Sequence, residues 1–294
     1  MPQIKQILCP VDFSESSARA YDSAQSLGRH YQAKLFLQHV VDFKLPTYAY
    51  YADAIYITEL FQAIRDSARK QLQCFAKSHA RNGVQPECFV QEGGVTDSIL
   101  SFAAAQKVDL IVMGTHGCKG VDRATLGSAA EKVLRKARCP VLVSRKPGPA
   151  VVAADGAQGS IRLHRVIFCT DFSDPARRAL EYALSVAAEY DAEITLLHVL
   201  DDVQTLANIK EAIATATRQL DKLIPPERGK AAKMRTMVRI GRAYEQIIQH
   251  ASEIQADLLI MAVRGRNALD LAAFGSTTYR AIQLGSWSVL AVHV

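Results

Sequence analysis

Ile7-Leu-Cys-Pro-Val-Asp-Phe-Ser14 returns 159 residues later as Val166-Ile-Phe-Cys-Thr-Asp-Phe-Ser173, an apolar run ending both times in Asp-Phe-Ser. The same spacing carries His39-Val40 onto His198-Val199 and Asp42 onto Asp201. Further along it becomes 148, pairing Gly93 with Gly241, Asp109 with Asp257, Met113 with Met261, and Gly127-Ser128 with Gly275-Ser276. The second copy is therefore 11 residues shorter, with the loss between the counterparts of Asp42 and Val90. Matches that recur in register along the whole length identify one unit written twice.

Each copy alternates strand and helix signals. In the first, Lys5–Val11 reads as a buried strand, and Ser14–His30 is a helix with Ser14 as N-cap. Lys34–Val40 is a strand, Ala54–Arg81 a helix, Gln85–Gln91 a strand and Val95–Gln106 a helix. Asp109–Met113, Ser128–Ala137 and Val141–Ser144 complete the copy as strand, helix and strand. Such alternation predicts an α/β fold, two tandem doubly wound parallel five-stranded sheets with helices on both faces. The glycine-, proline- and alanine-rich stretch 147–162 reads as a linker between a first domain, 1–146, and a second, 163–294. The 18 residues from Arg145 to Arg162 can extend to roughly 60 Å. That reach lets the copies turn to face each other as a pseudo-dimer, pairing the short apolar strands Val141–Ser144 and Val289–Val292 so that neither is left as a bare edge.

The segment with the most chemistry is Met113-Gly-Thr-His-Gly-Cys-Lys-Gly-Val-Asp-Arg-Ala-Thr-Leu-Gly-Ser128. It leaves a strand, crosses a polar loop and enters a helix. A helix N-terminus presents unpaired N–H groups and the positive end of the helix dipole, which suits a phosphate. Lys119 and Arg123 add positive charge, and Ser128 a hydroxyl. The plain alternative is a flexible loop with a glycine-dependent turn, since no Walker A sequence, dinucleotide fingerprint or nucleophile elbow is present. Lys132, Arg135, Lys136 and Arg138 in the following helix read as a solvated face.

Here the chain resembles the universal stress proteins, over nearly all its length apart from the linker. The family's nucleotide pattern is Gly, two residues, Gly, nine residues, then Gly with Ser or Thr, and the first copy has it complete in Gly114, Gly117, Gly127 and Ser128. Asp12 stands where the family has an Asp after the first strand, and Ala137-Arg-Cys-Pro-Val-Leu-Val143 resembles its last strand. The resemblance implies an ATP-binding regulatory protein of the stress response, with Mg or Mn accompanying the nucleotide. It implies a site formed by Pro10, Val11, Asp12, Val40, Met113, Gly114, His116, Gly117, Gly127, Ser128 and Ala129. Asp12 would meet the ribose or adenine, Val40 the adenine, Gly114, His116 and Gly117 the ribose–phosphate path, and Gly127 to Ala129 the phosphates. Asp12 has a plainer role open to it, as part of the cap of the first helix. His116 is equally readable as an exposed loop residue.

The second copy departs from the pattern. Gly265, Gly275 and Ser276 keep their places, but Ala262 replaces the first glycine and Arg264 replaces His116. If the glycine serves positive φ or a close ligand approach, Ala262 obstructs it. Thr277 and Thr278 offer hydroxyls that the first copy lacks. A second site would comprise Thr170, Asp171, Val199, Ala262, Arg264, Gly265, Gly275, Ser276 and Thr277.

Composition narrows the rest. Hydrophobic residues are 49%, charged residues 22% and the formal net charge +6, with no long basic run interleaved with aromatics, so nucleic-acid binding is not expected. No stretch reaches membrane-spanning length and no secretory signal precedes the first strand, so a cytoplasmic protein is expected. Six scattered cysteines without a C-x-x-C pair exclude a disulfide framework or zinc site and read mostly as small buried residues, Cys118 apart in the glycine-rich loop. His39 and His198, lacking ligand-type neighbours, read as structural. The aromatic stretch Phe43–Tyr56 reads as a lid, a partner surface or a loop packed on the next helix. The rival function classes are a nucleotide-free interaction scaffold and a slow ATPase. No arginine finger, P-loop lysine or water-activating carboxylate is evident, so hydrolysis is expected to be weak at most. A homodimer and an unspecified protein partner complete the expected associations.

Overall fold

The computed structural model describes residues 4–42, 54–80, 84–115, 126–145, 162–201, 206–224, 233–263 and 275–293. The first half runs β1 (Gln6–Pro10), α1 (Glu15–Tyr31), β2 (Lys34–Val41), α2 (Ala54–Ser78), β3 (Glu87–Glu92), α3 (Val95–Ala105), β4 (Leu110–Gly114), α4 (Ser128–Lys136) and β5 (Val141–Ser144). The second half repeats the order as β6 (Arg165–Cys169), α5 (Asp174–Glu189), β7 (Glu193–Leu200), α6 (Leu206–Leu223), β8 (Met234–Ile240), α7 (Ala243–Glu253), β9 (Leu258–Ala262), α8 (Ser276–Leu284) and β10 (Ser288–Val292). All eighteen elements follow the expected alternation, and α2 ends three residues before the expected Arg81, which lies outside the described residues.

The sequence predicts two five-stranded sheets; they join into one ten-stranded sheet, ordered β3-β2-β1-β4-β5-β10-β9-β6-β7-β8. Within each half the strands are parallel. At the seam β5 and β10 run antiparallel, with Val141, Leu142 and Val143 opposite Ala291, Leu290 and Val289. Each last strand is thus covered by the other, as an apolar strand with unpaired backbone groups requires.

Strand residues alternate between two cores. Ile7, Cys9, Leu110 and Val112 face α1 and α2, whereas Leu8, Ile111 and Met113 face α3 and α4. Burial on both sides is why these strands read as unbroken apolar runs. The repeated Asp109 and Asp257 tie the strand-entering ends together. Asp109 accepts from the Lys5 and Gln6 amides at 2.8 and 2.9 Å, and Asp257 from those of His164 and Arg165 at 2.6 and 2.9 Å. The repeated Gly93 and Gly241 lie at φ 116° and 127°, which explains their recurrence.

Ala68 and Leu72 of α2 and Ala216 and Leu220 of α6 are buried at matching positions. The missing residues of the second copy therefore precede the counterpart of Thr58, on the side of the aromatic stretch. Residues 43–53 of that stretch, and the linker 147–161, lie outside the described residues. Among the cysteines, Cys9 and Cys169 are buried as expected; Cys74 is exposed and Cys88 and Cys139 are half-buried. Burial pushes the Cys139 thiol up to about 11, far from a reactive thiolate.

Candidate functional site

An open parallel sheet offers a ligand site at the carboxyl ends of its strands, where the strand order reverses. In the first half that place is the β1–β4 junction, with β2 on the other side of β1. Asp12, Val40 and Gly114 follow or end these three strands, so the fold brings them together.

The Asp-Phe-Ser turn is built twice by the same bonds. Asp12 Oδ1 accepts from the Ser14 amide at 3.2 Å and the Ser14 hydroxyl at 2.6 Å, and Ser14 accepts from the Ser17 amide at 3.2 Å to cap α1. Asp171 accepts from the Ser173 amide at 3.0 Å, and Ser173 from the Ala176 amide at 3.3 Å. Ser14 and Ser173 are the caps, and the aspartates organise the turn before them. Between each pair stands a phenylalanine in the left-handed region, Phe13 at φ 65° and Phe172 at φ 63°. That conformation costs a bulky residue on the order of 1–3 kcal/mol. It persists because each ring packs on the repeated histidine, with centroids 4.4 Å apart for Phe13 and His39 and 4.3 Å for Phe172 and His198. His39 Nδ1 donates to the Val11 carbonyl at 2.9 Å and His198 Nδ1 to that of Thr170 at 2.8 Å. A carbonyl only accepts, so Nδ1 carries the proton in each ring. Both histidines are braces of the turn, as expected. Among the described residues no cluster of three or more His, Cys, Asp or Glu is arranged to hold a metal ion.

Gly114 is required for a reason that its sequence context does not reveal. It has no positive φ; a Cβ there would stand 2.8 Å from the backbone C and O of Ser16, in the first turn of α1. That close approach lets the Thr115 amide donate to Ser16 Oγ at 3.0 Å. The glycine admits a neighbouring helix, whatever else approaches it. In the second half the counterpart of Ser16 is Pro175 and that of Gly114 is Ala262. The two positions change together: without the serine bond the helix start no longer demands a glycine opposite it.

The long loop after β4 is closed at its base, where the Gly127 amide donates to the Thr115 carbonyl at 2.7 Å; Gly275 and Val263 do the same at 3.0 Å. Gly127 is the N-cap of α4 and contributes no side-chain bond to it. Ser128 is exposed and Ala129 half-buried, so the first turn of α4 faces outward with its helix-dipole charge. Lys132, Arg135, Lys136 and Arg138 are all exposed, as expected. The second half corrects one expectation. The Thr278 hydroxyl is not offered to a ligand; the residue is buried and donates to the Ala262 carbonyl at 3.1 Å.

Of the remaining expected residues, Pro10, Val40 and Val199 are half-buried near the strand ends, whereas Val11, Met113 and Thr170 are buried, the first two in the two cores. Ser276 is exposed and Thr277 half-buried at the start of α8. His116, Gly117, Arg264 and Gly265, with Cys118, Lys119 and Arg123, lie outside the described residues. The residues missed were Ser16 and Thr115. Their only signal was the pairwise change to Pro175 and Val263 between copies.

These features define a duplicated, doubly wound α/β protein whose first half gathers the α4 N-terminus, the Asp12 turn and Gly114 at one switch point. Comparison with known proteins agrees with that class. The chain belongs to the universal stress protein family, whose pattern matches residues 3–145 and again 162–293. A universal stress protein of Methanocaldococcus jannaschii is 36% identical over 145 residues, 49% of this chain and 83% of the relative. One from Bacillus subtilis is 33% identical over 145 residues, 48% of this chain and 98% of the relative. The crystal structure of a universal stress protein from Archaeoglobus fulgidus covers 99% of this chain and 97% of its own, at TM-score 0.64 and 21% identity, a likeness of fold.

Proposed function

We propose that the first half binds an adenine nucleotide, ATP with Mg or Mn, and that occupancy regulates the protein's associations. The observation that carries this reading is the outward-facing first turn of α4, clamped to the end of β4 by the Gly127–Thr115 bond beside the Asp12 turn. Phosphates would lie against the amides of Ser128 and Ala129, with the nucleoside toward Asp12 and Val40. Gly114, His116 and Gly117 would line the path between them. Membership in the family supports a cytoplasmic regulatory role and pairing of two chains. Among the described residues no helix is long and apolar enough to cross a membrane.

The proposal places one nucleotide per chain. In the second half Pro175, Ala262 and the inward Thr278 hydroxyl suit a structural partner better than a second phosphate site.

The test is Ser128→Asp, followed by calorimetric titration with Mg-ATP. An acid in the first turn favours the helix by about 0.3–1 kcal/mol, so the fold should be kept. Toward a phosphate it is repulsive. At about 6 Å and an effective dielectric of about 40, two unit charges cost about 1.4 kcal/mol, or tenfold, and a polyphosphate costs more. Wild-type protein should take up one equivalent, and the variant should bind at least about tenfold more weakly with an unchanged melting temperature. Equal affinity in the two proteins would remove the α4 assignment. A second equivalent would overturn the one-nucleotide count and make Thr170, Asp171, Val199, Gly275, Ser276 and Thr277 the next positions to vary.

A further inference from the structure

The seam between the halves holds a second space, partly open to solvent and separate from the Asp-Phe-Ser turns. It is a cavity of about 310 Å³ between the C-terminal parts of α1 and α5, reaching the strand-entering ends of β4 and β9. Five leucines, Leu110, Leu142, Leu163, Leu258 and Leu290, contribute its apolar lining from both halves. Leu27 and Val186, equivalent in the repeat, line it from the two helices. Three phenols join them: Tyr31, Tyr182 and Tyr190.

Packed interiors hold few voids larger than a water molecule. An apolar cavity of about 150 Å³ already admits benzene, and small-molecule pockets begin near 300 Å³, commonly at domain junctions. This cavity has the size and place of a ligand site.

Its charges specify the class of ligand. Glu189 is held by His30 Nε2 at 2.5 Å and by the Tyr31 hydroxyl at 3.0 Å. Asp109 is held by the Lys5 and Gln6 amides. Arg138 is exposed to solvent at the rim. Among the described lining residues the two acids are committed and Arg138 stands at the rim, so a charged ligand would shed its water with little compensation in the interior, whereas an uncharged one loses little. Burial holds the Tyr31 and Tyr190 phenols well above their usual range, so both remain neutral hydrogen-bonding groups.

We propose that the seam cavity binds an uncharged, largely aliphatic small molecule carrying one hydrogen-bonding group, with its chain against the leucines and its polar end toward the tyrosines. The site belongs to both halves at once, so its occupancy favours the joined state of the sheet.

The test titrates the full-length protein, without nucleotide, with 1-octanol, octanoate and octylammonium, read by calorimetry and by NMR contacts from the ligand methyl group. Octanol should bind saturably, with contacts to the Leu142 and Leu290 methyls. The two ions should bind at least about tenfold more weakly. Ser185→Phe and Val186→Phe, which fill the space from α5, should each weaken octanol at least about tenfold while circular dichroism stays native. Absence of saturable octanol binding, absence of the Leu142 and Leu290 contacts, or ions that bind as well as the alcohol would overturn the proposal. The contacts are measured on the unaltered protein, so they decide the matter even where a filled variant misfolds. Nucleotide binding is scored separately, and neither result decides the other.

Discussion

Gly114→Ala isolates the steric claim at the heart of the site. The added methyl would stand 2.8 Å from the Ser16 backbone, where ordinary contact begins near 3.4 Å, so α1 or β4 must shift by about half an ångström. Overpacking of that kind costs about 1–3 kcal/mol, and loss of the Thr115–Ser16 bond about 1 kcal/mol more. Replacing a strand glycine returns about 0.5–1 kcal/mol. The net loss is about 1–3 kcal/mol, which in a protein of this size lowers the melting temperature by roughly 2–4 °C per kcal/mol. Calorimetric melting of the ligand-free protein measures it. The second half supplies the control: Ser16→Pro, copying Pro175, frees the helix start from its tether. Proline is tolerated in the first helical turn, so Ser16→Pro with Gly114→Ala should recover about half of the loss. If Gly114→Ala melts like wild type, or Ser16→Pro brings no recovery, the co-dependence of the two positions is wrong. Because Gly114→Ala disturbs the fold, reduced nucleotide affinity in that variant would not by itself locate a ligand.

Arg145 donates to the Gly285 and Gln283 carbonyls at the end of α8, across the seam, the second bond measuring 2.6 Å. Arg145→Met should lower stability by about 2–4 kcal/mol in chemical denaturation; a change below about 0.5 kcal/mol would show the cross-cap to be idle. His250 is 4% exposed, and burial, reinforced by Arg239, lowers its pKa below 6.5. Its unfolded form binds protons more readily, so its contribution is complete above pH 6.5 and lost as the pH falls from there through the folded value. Glu253, whose pKa is lowered by the Arg239 hydrogen bond, adds a further loss below about 4.5. His250→Gln should flatten the melting-temperature profile just below pH 6.5 and leave the Glu253 limb; an unchanged profile would exclude His250.

The parts of the fold that were legible are those whose cause is local. Ile7–Cys9 and Val166–Cys169 read as apolar runs because both their faces are buried, and Ser14 read as a helix start because its hydroxyl meets an amide three residues on, a bond that its counterpart Ser173 repeats. The glycine spacing and Asp12 pointed to the carboxyl ends of β1 and β4, where the strand order reverses. What they do there was harder to see. A glycine is equally consistent with positive φ, with ligand approach and with helix approach, and only the position of Ser16, almost a hundred residues away in sequence, separates these. Thr278 looked like an added phosphate donor because its partner, the Ala262 carbonyl, belongs to the preceding strand.

Duplication explains why the side chains at the seam were harder to read than the pairing of its strands, which the sequence predicted. Tyr31 and Tyr190 occupy equivalent positions, and so do His30 and Glu189 and, further along, Arg145 and His293. Two identical chains pairing by the same surface would set His against His, or Glu against Glu, at the second of these sites. In one chain the positions are free to differ, and they have become a His30–Glu189 pair at 2.5 Å. Arg145 now caps α8 of the second half, while His293 Nε2 bonds to the Leu134 carbonyl of α4 in the first, at 2.8 Å. Each half therefore completes a helix end of the other with a different side chain. The same freedom separates Gly114 and Ser16 from Ala262 and Pro175. Once one half keeps the glycine loop and its tethered helix, the other is released from that requirement and retained for the sheet it extends. On that reasoning the halves should be unequal in what they bind and equal in what they stabilise: Arg145→Met should destabilise the whole chain in a single transition, although the hydrogen bonds it loses go to the end of α8.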